Sequence, residues 1–489
     1  MILTASQMKT AEEAALMDGS TPEGLMEIAG DGISCCIRQF FPQAGTAVVF
    51  CGKGHNGGDA LVAARHLRTE GWSIMVRLSC PVEELASLTR HHLHLLGVDP
   101  SDSAGGVKGN SLLLIDGLLG IGITGPPRGN VAELIRELNG LRAAGAFTIA
   151  VDLPSGLEAT TGEIFDPCVQ ADLTVTLGFP KTGLLADAST GHVGRLGVVT
   201  LPGVRAMEGD DASVATSPSL RHLLPIRDFD THKGNYGRIG IVAGSPGYLG
   251  AARLCSAAAV HAGGGLVTLY ALPETFDKLC LLTIPEVMVK RVESYSELID
   301  ERCDVLAIGP GLGRDHDQVI RHLVEKTPVP CVVDADALNA ISQEITLLDR
   351  CAGPRLLTPH PGEMERLDPQ AGRSRRVLAD GFASRYPVTL LLKGARTIIA
   401  ERGIPASYNT TGNPGMGSGG MGDVLSGVTA ALMGGGKTPR DAAITGAWLC
   451  GRAAEIALFK GSDSQESLAA SSVIEHLGAA FQSLRNGEY

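Results

Sequence analysis

The chain has 489 residues, of which 44% are hydrophobic and 19% are charged, and its formal net charge is −12 at pH 7. This composition excludes an intrinsically disordered chain, and the length exceeds what one hydrophobic core usually organises, so we predict two domains. The acidic balance and the lack of a Lys/Arg-dense stretch argue against a nucleic-acid partner.

The N-terminal stretch is polar and acidic, without an apolar signal core, and the cytoplasm is the expected location. The apolar segment 444–459 contains Arg452 and Glu455 and is too short to span a bilayer, so we predict no membrane partner. The eleven cysteines are scattered without a CxxC pair, which predicts reduced thiols.

The first half alternates short β-branched runs with amphipathic stretches, which predicts a doubly wound, largely parallel sheet. The helices are predicted at 60–71 and 130–141. The segment "RHHLHLLG", with His91, His92 and His94, has no acidic or Cys ligand near it in sequence and predicts a solvated helix face. The strands are predicted at 46–51, 73–79, 111–116, 147–152, 172–177 and 195–201.

The alternation lapses over 203–222, which is acidic and rich in small polar residues and has no clear strand or helix. We therefore predict a first domain over residues 1–212 and a second over 222–489. The second half resumes the strand–helix pattern at 237–245, 265–272, 304–313, 330–339, 355–363 and 388–400.

In "CGKGHNGGDA", Gly52, Gly54 and Gly57 fit G-x-G-x-x-G after an apolar run. The second strand, however, ends "MVRLSCP", without the acid that would hold the ribose in a dehydrogenase. We predict that Gly57 and Gly58 let backbone N–H groups approach a phosphate at a helix start, and that Asp59 caps this helix.

Polar residues follow three strands of the same sheet. Asp116 and Asp152 end two strands, Ser155 lies in the turn after Asp152, and Asn56 follows the first strand. Because the carboxyl ends of parallel strands share one edge, these residues are expected around one crevice, where their oxygens suit a hard cation. The alternative is that each Asp is only a helix cap or turn former.

The motifs "GKGHNGGD", "DGLLGIGITG" and "VDLPSG", with "LMEIAGDGI" and "FPKTGLL", resemble the NAD(P)H-hydrate epimerase domain over roughly residues 1 to 210. The resemblance implies a Rossmann-like fold and potassium bound by Asn56, Asp116 and Ser155. His55 stands where the family usually has Asn, and "GIGITG" differs from the more usual GTGL-type turn. The implied substrate contacts are His55, Asn56, Gly57, Gly58, Asp59, Gly120, Ile121, Gly122, Ile123, Thr124, Gly125, Pro126 and Asp152.

The epimerase chemistry needs a proton-transferring group. C6 of the hydrated nicotinamide carries a hydroxyl beside N1, and its two configurations interconvert when that hydroxyl leaves and returns. Asp152 is our candidate for the catalytic group, because backbone glycines can hold phosphate but cannot move protons.

"NPGMGSGGMGDVLSG", residues 413–427, predicts an anion hole of backbone N–H groups at a helix start. Asp423 would accept a hydroxyl proton while the N–H groups stabilise a transferring phosphate. A flexible glycine-rich loop is the alternative, but the Asp and the abrupt helix fit a mere linker poorly. No Walker A sequence occurs.

The GGxGD pattern resembles the ribokinase-like superfamily. Within it, "GRIGIVAGSPGYLGAARL", "GPGLG", "DADALN", "LLTPHPGEMERL" and "KGARTII" resemble the NAD(P)H-hydrate dehydratase domain over roughly 222–489. His360 could instead be an ordinary turn histidine between two prolines. The resemblance implies substrate contacts at Ala251, Gly311, His360 and Asp423, and adenine-nucleotide contacts at Lys393, Gly394, Ala395, Arg396, Thr397 and Gly422.

Together the two resemblances imply a two-domain α/β enzyme of metabolite repair. The first domain would interconvert the R and S forms of NAD(P)H hydrate, with K+. The second would dehydrate the S form with ADP and Mg2+, giving AMP and phosphate. The nucleotide hydrate is then a substrate and not a redox cofactor, and we expect a homo-oligomer.

Two other functions stay open at this point. A ribokinase-like kinase for a vitamin precursor would release a product that keeps its phosphate. The first domain could be a non-catalytic binding module, although the joint presence of Asn56, Asp116, Asp152 and Ser155 argues against it.

Overall fold

The computed structural model describes residues 1–101, 112–370 and 372–489. The chain divides into two compact units, Met1–Val214 with Tyr489 and Ala215–Glu488. Each unit contains a mainly parallel sheet with helices packed against it, which confirms the predicted α/β class.

In the first unit, β1 to β6 form a parallel sheet in the order β2-β1-β3-β4-β5-β6. The strand order reverses between β1 and β3, so their carboxyl ends border a crevice. The strands are β1 (Thr46–Cys51), β2 (Ser73–Leu78), β3 (Leu112–Gly117), β4 (Phe147–Val151), β5 (Leu173–Leu177), β6 (Arg195–Val199) and β7 (Ser213–Val214). The helices are α1 (Ala5–Met17), α2 (Pro22–Phe40), α3 (His55–Thr69), α4 (Ser87–Leu96), α5 (Gly129–Ala143) and α6 (Thr190–Val193).

The predicted strands of the first half are all present within the described residues. Ser111, with which the third predicted strand begins, lies outside them. β1 and β3 are apolar and buried almost throughout, as expected for parallel strands with helices on both faces.

The glycines after β1 are needed for close packing. A Cβ on Gly52 would lie 1.9 Å from the Leu118 carbonyl oxygen, and one on Gly57 would lie 2.3 Å from the Gly52 carbonyl oxygen. α3 begins at His55, so the glycines that follow it lie inside the first turn of the helix. Our prediction that Asp59 caps this helix is wrong, because Asp59 lies beyond the first turn.

In the second unit the strand order is β10-β9-β8-β11-β12-β13-β14-β15-β16, and the order reverses between β8 and β11. The strands are β8 (Arg238–Val242), β9 (Leu266–Ala271), β10 (Val287–Arg291), β11 (Val305–Ile308), β12 (Cys331–Val333), β13 (Arg355–Leu357), β14 (Thr389–Leu392), β15 (Thr397–Glu401) and β16 (Ile404–Asn409). The helices are α7 (Ser217–Leu220), α8 (Leu249–His261), α9 (Pro273–Leu282), α10 (Asp317–Lys326), α11 (Ala335–Ile341), α12 (Pro361–Leu367), α13 (Arg375–Arg385), α14 (Met421–Gly434), α15 (Pro439–Phe459) and α16 (Ala470–Asn486).

The sequence patterns did not predict β10, β16 or the regular structure within 203–222. β10 lacks a buried apolar run, and β16 contains Pro405 near its start. The segment 203–222 is not devoid of regular structure, because β7 and α7 lie in it. Thr216 caps α7 in a capping box and Pro218 occupies its first turn.

α15 is longer than the apolar segment we identified. It has 21 residues and is long and apolar enough to cross a membrane by length and composition, so the expectation that it is too short is wrong. However, 89% of its most apolar window is buried inside the structure, as in the core helix of a globular unit. Its Arg452 and Glu455 are buried and form an ion pair at 3.1 Å.

Candidate active sites

In the first unit, Asn56, Asp116 and Ser155 meet around the backbone of Leu119. The Asn56 amide donates to the Leu119 carbonyl oxygen at 2.9 Å. Ser155 Oγ accepts from the Leu119 N–H at 2.9 Å and donates to Asp116 at 2.7 Å. The structure thus gathers the three predicted cation ligands at the β1/β3 crevice.

Asp116 is a fully buried carboxylate held by hydrogen bonds alone. It accepts from the Ser155 N–H at 2.8 Å and from the Leu118 N–H at 3.2 Å, besides the Ser155 hydroxyl. Burial raises the pKa of Asp116 to about 6, although these hydrogen bonds oppose the rise. In the described part of the chain no basic side chain forms an ion pair with it.

Asp152 follows β4 in a left-handed backbone conformation, with φ of 65°. Its Oδ1 accepts from the Thr176 hydroxyl at 3.1 Å and from Lys181 Nζ at 2.5 Å. Lys181 is 1% exposed and also donates to the Leu177 carbonyl oxygen at 2.8 Å. Our sequence reasoning did not name Lys181 as a site residue, although it lies in the motif "FPKTGLL".

The other predicted contacts of the first site lie on two segments. His55 is exposed at the start of α3, whereas Gly57 and Gly58 are buried. Residues 120–126 form a partly exposed loop without helix or strand, and a Cβ on Gly120 would lie 3.5 Å from Asn56 Cβ. This loop therefore lies beside the predicted cation ligands.

In the second unit, the carboxylate of Asp334 follows β12 and is almost fully buried. It accepts from Lys393 Nζ at 2.8 Å and from the Ser426 hydroxyl at 2.8 Å. Lys393 also lies 3.7 Å from Glu363, and a Cβ on Gly422 would lie 3.2 Å from Lys393 Nζ. The predicted nucleotide residues Lys393 and Gly422 are thus neighbours.

Asp423 lies in the first turn of α14, after Gly420, whose φ is 89°. Burial raises the pKa of Asp423 to about 7, the charge of Asp334 adds to the rise, and Lys393 opposes it. A carboxyl group that titrates near neutral pH can accept a proton and give it back, as a general base requires. α14 is fixed against α8, since a Cβ on Gly427 would lie 2.1 Å from a backbone oxygen of that helix.

The predicted substrate residues Ala251 and Gly311 adjoin at the carboxyl ends of β8 and β11. A Cβ on Gly311 would lie 2.9 Å from Ala251 Cβ, and its φ of 62° favours glycine. Close by, the Gly313 N–H donates to Asp336 at 2.9 Å. This contact lies at the reversal of strand order, where ligands bind in open α/β sheets.

His360 caps α12, which agrees with the alternative that it is an ordinary turn histidine. Its Nδ1 accepts from the Gly362 N–H at 3.0 Å, and its other ring nitrogen lies 3.4 Å from Glu363. Glu363 also lies beside Lys393, so His360 borders the group formed by Lys393 and its two carboxylates. Half of the His360 side chain is exposed.

The loop of residues 393–396, between β14 and β15, is held by a residue that sequence reasoning missed. Arg375, at the start of α13, donates to the carbonyl oxygens of Lys393 at 3.0 Å and Arg396 at 2.9 Å. Its nitrogen lies so near Gly394 that a Cβ there would approach to 2.5 Å. The loop's shape therefore depends on a side chain from a separate helix.

The histidines of α4 do not form a uniformly solvated face. His94 is exposed, but His92 is fully buried, 3.8 Å from Glu27, and burial lowers its pKa. Within the described residues no group of three or more His, Cys, Asp and Glu side chains is arranged to hold a metal ion.

These features define a class of protein. The first unit is Rossmann-like, with a polar crevice at its strand reversal. The second has the ribokinase-like arrangement, in which a glycine-rich helix start carries a carboxylate of near-neutral pKa beside a lysine. The class is therefore a two-domain α/β protein with a polar crevice at the strand reversal of each unit.

Comparison with known proteins then gives the family. Residues 22–183 match the family model described as YjeF-related protein N-terminus, and residues 239–475 match the NAD(P)H-hydrate dehydratase model. A bifunctional NAD(P)H-hydrate repair enzyme of Moorella thermoacetica is 38% identical, over 93% of this chain and 92% of its own length. The Escherichia coli enzyme of the same name is 35% identical, over 91% of this chain and 87% of its own. The chain belongs to the family of bifunctional NAD(P)H-hydrate repair enzymes.

A solved structure matches the second half. An ADP/ATP-dependent NAD(P)H-hydrate dehydratase from Bacillus subtilis, co-crystallised with ATP and Mg2+, is 27% identical. It covers 56% of this chain and 100% of its own, with a TM-score of 0.50. These similarities favour the repair function over a vitamin-precursor kinase joined to a non-catalytic module.

The buried Lys181–Asp152 pair makes a direct prediction. Lys181→Met leaves a buried carboxylate without its partner and should lower the free energy of unfolding of the first unit by about 3–5 kcal/mol. Lys9→Met, which removes an exposed pair with Glu13, should cost about 0–1 kcal/mol. Denaturant unfolding of each variant measures both values.

A double variant separates charge from packing. Lys181→Met combined with Asp152→Asn should be more stable than Lys181→Met alone, because no buried charge is left without a partner. Equal stability of Lys181→Met and Lys9→Met would contradict this account of the pair.

Proposed function

We propose that the first unit interconverts the R and S forms of NAD(P)H hydrate and that Asp152 moves the proton in this reaction. Asp152 supports this role because its carboxylate is fixed at a strand end by Lys181, in the same turn as Ser155, whose hydroxyl accepts from the Leu119 N–H at the start of the glycine-rich loop. Departure of the C6 hydroxyl requires a proton donor, and its return as water requires a base. The loop 120–126 and the N-terminal residues of α3, from His55 to Asp59, would bind the nucleotide.

We propose that the second unit dehydrates the S form with ADP. Asp423 accepts the proton of the C6 hydroxyl as its oxygen takes a phosphoryl group from ADP, which leaves AMP. Phosphate then departs from C6 and C5 loses a proton, which restores the dihydronicotinamide. The observation that carries this proposal is the position of Asp423 in the first turn of α14, where the adjacent Gly422 lies against Lys393.

The remaining contacts of the second site follow the same assignment. Ala251, Gly311 and His360 would bind the hydrated nucleotide. Residues 393–397 and Gly422 would bind the adenine nucleotide, with Lys393 beside its phosphates. The side-chain ammonium would stabilise the phosphoryl group in transfer, while Asp334 and Glu363 keep it charged by raising the pKa of Lys393 against the effect of burial.

Two cations complete the proposal. Asn56, Asp116 and Ser155 would hold K+, and the fit rests on Asp116, a buried carboxylate with no ion pair among the described residues. When bound, K+ supplies positive charge near the substrate phosphates. Mg2+ would enter with the ADP phosphates, as is usual for nucleotide-bound magnesium. A cytoplasmic location and a homo-oligomer stay predictions.

Substitution of one carboxylate in each unit tests which unit carries which activity. Asp152→Asn should lower R-to-S interconversion by at least about 10²-fold but change dehydration of the S form by less than about twofold, because the sites lie in separate units. Asp423→Asn should have the opposite effect. Each activity is followed by chromatography of the epimers and by dihydronicotinamide absorbance.

The activities of folded Asp152→Asn protein decide whether the two reactions use one site or two. If folded Asp152→Asn protein loses both activities, the division of labour between the units is wrong.

The pKa of Asp116 predicts how K+ acts on stability. The folded-state pKa, about 6, lies above the ordinary value of an aspartate, so the protonated form stabilises the fold at low pH. That contribution is lost as the pH rises through about 6, where K+ can replace the proton. KCl should therefore raise Tm by several degrees at pH 8, on the order of the stabilisation given by a saturating ligand, and have little effect at pH 5.

Choline chloride at equal ionic strength is the control, and Asp116→Asn should abolish the response to K+. If KCl raises the Tm of Asp116→Asn as much as that of the unmodified protein, Asp116 is not a ligand of the cation.

A further inference from the structure

The loop of residues 410–420 joins β16 to α14 and contains the glycines that precede Asp423. Its first residues lie on α15. The Thr411 hydroxyl donates to the Trp448 carbonyl oxygen at 3.1 Å. A Cβ on Gly451 would lie 2.2 Å from Thr411 Oγ1, so only glycine lets the loop approach the helix this closely. The start of the loop is therefore fixed by α15.

Glu455 on α15 accepts a hydrogen bond from the backbone of this loop. The Gly412 N–H donates to Glu455 Oε1 at 2.8 Å. Gly412 has a φ of 116°, and a Cβ on it would lie 2.8 Å from Met416 Sδ, so the loop turns back on itself at this residue. Glu455 is almost fully buried, and its bond to a main-chain N–H is of the strong, charge-assisted kind. This carboxylate thus determines where the turn of the loop lies.

The second oxygen of Glu455 is bound by a residue that other side chains hold in turn. Arg452 donates to Glu455 Oε2 at 3.1 Å. The Arg452 guanidinium also donates to Ser483 at 2.8 Å and to Glu488 at 3.2 Å, and Ser483 donates to Glu488 at 2.9 Å. Through Arg452, α16 and the residues after it therefore orient the Glu455 carboxylate toward Gly412.

Stability alone does not account for this carboxylate. A buried ion pair is often no more stabilising than hydrophobic side chains of similar volume, so an apolar pair would serve the core as well. The Gly412 N–H is different, because an apolar side chain cannot accept from it and an unmade hydrogen bond is costly at a partly buried N–H. Glu455 therefore supplies an acceptor that the loop needs and the core does not.

The other end of the loop leads directly into the second site. Gly420, with φ of 89°, precedes α14, and a Cβ on it would lie 2.6 Å from Leu254 Cδ1. The Ser418 hydroxyl donates to the Leu468 carbonyl oxygen at 3.2 Å. The loop is thus held at both ends, and the N–H groups between them are fixed in advance, as donors to a charge that develops in a transition state must be.

We propose that Glu455 is a positioning residue of the second site, which holds the loop 410–420 in the shape that stabilises the phosphoryl group in transfer. This proposal rests on the proposed dehydratase reaction. Glu455 acts through the Gly412 N–H and the loop. Its loss should therefore lower kcat and leave the binding of AMP, which has no phosphoryl group to transfer in this reaction, nearly unchanged.

Glu455→Gln and Glu488→Gln form a matched pair of variants, since each removes a carboxylate that binds Arg452. Only Glu455→Gln disturbs the loop, because Gly412 and Arg452 donate to different oxygens of Glu455 and an amide has only one. Glu455→Gln should lower kcat for dehydration of the S form by about tenfold or more, and Glu488→Gln by less than about twofold. Titration with AMP counts the intact sites, and each kcat is expressed per intact site.

A second pair of variants separates the hydrogen bond from the ion pair. In Arg452→Met with Glu455→Gln, the amide oxygen has only Gly412 to accept from, and kcat per intact site should recover to within about threefold of the unmodified value. Arg452→Met with Glu455→Met removes the same charges but offers Gly412 no acceptor, so it should stay about tenfold slow or slower.

The proposal is overturned if the two double variants have equal kcat per intact site, or if Glu455→Gln and Glu488→Gln do. A role of Glu455 in folding alone predicts that outcome, because fewer sites would bind AMP while each intact site worked at the unmodified rate. If the double variants bind no AMP, the single variants decide. Absence of ADP-dependent dehydration in the unmodified protein would instead overturn the proposed dehydratase function.

Discussion

In each unit, a lysine ammonium binds a carboxylate that follows a buried strand. Lys181 Nζ lies 2.5 Å from Asp152, and Lys393 Nζ lies 2.8 Å from Asp334. A buried carboxylate without a partner costs several kcal/mol, and each of these two takes its lysine from a segment 29 or 59 residues further along the chain. Each site is therefore completed by the tertiary fold and not by its local motif.

Backbone strain occurs at the same two places. Among the described residues, the non-glycine residues with positive φ are Asp152 and Ala335, which directly follows Asp334. Such conformations cost of order 1–3 kcal/mol and persist where the surrounding structure fixes them, typically at functional sites. Both lie at carboxyl ends of strands, the edge of an open α/β sheet at which ligands bind.

Much of this arrangement follows from sequence. Buried parallel strands appear as apolar runs, and polar residues directly after them must share one edge, which is why Asn56, Asp116 and Ser155 were predicted to meet. The start of α3 was not predicted, because glycines disfavour helices and only the packing around Gly57 overrides that preference.

Lys181 and Arg375 illustrate the same limit in the two units. Each is one basic residue among many in the sequence, and its role comes from long-range contacts with a strand end or a loop. A local sequence pattern does not reveal such long-range contacts, although these contacts set the geometry of the site.

The most direct measurement of the central claim is the fate of an equal mixture of R and S NAD(P)H hydrate given to the purified protein with excess ADP, Mg2+ and K+. Two cooperating sites predict that the absorbance of dihydronicotinamide recovers fully, with AMP and phosphate released in equal amounts. Recovery that stops once the S form is used up, at the level of a dehydratase alone, would contradict the claim that this chain contains both activities.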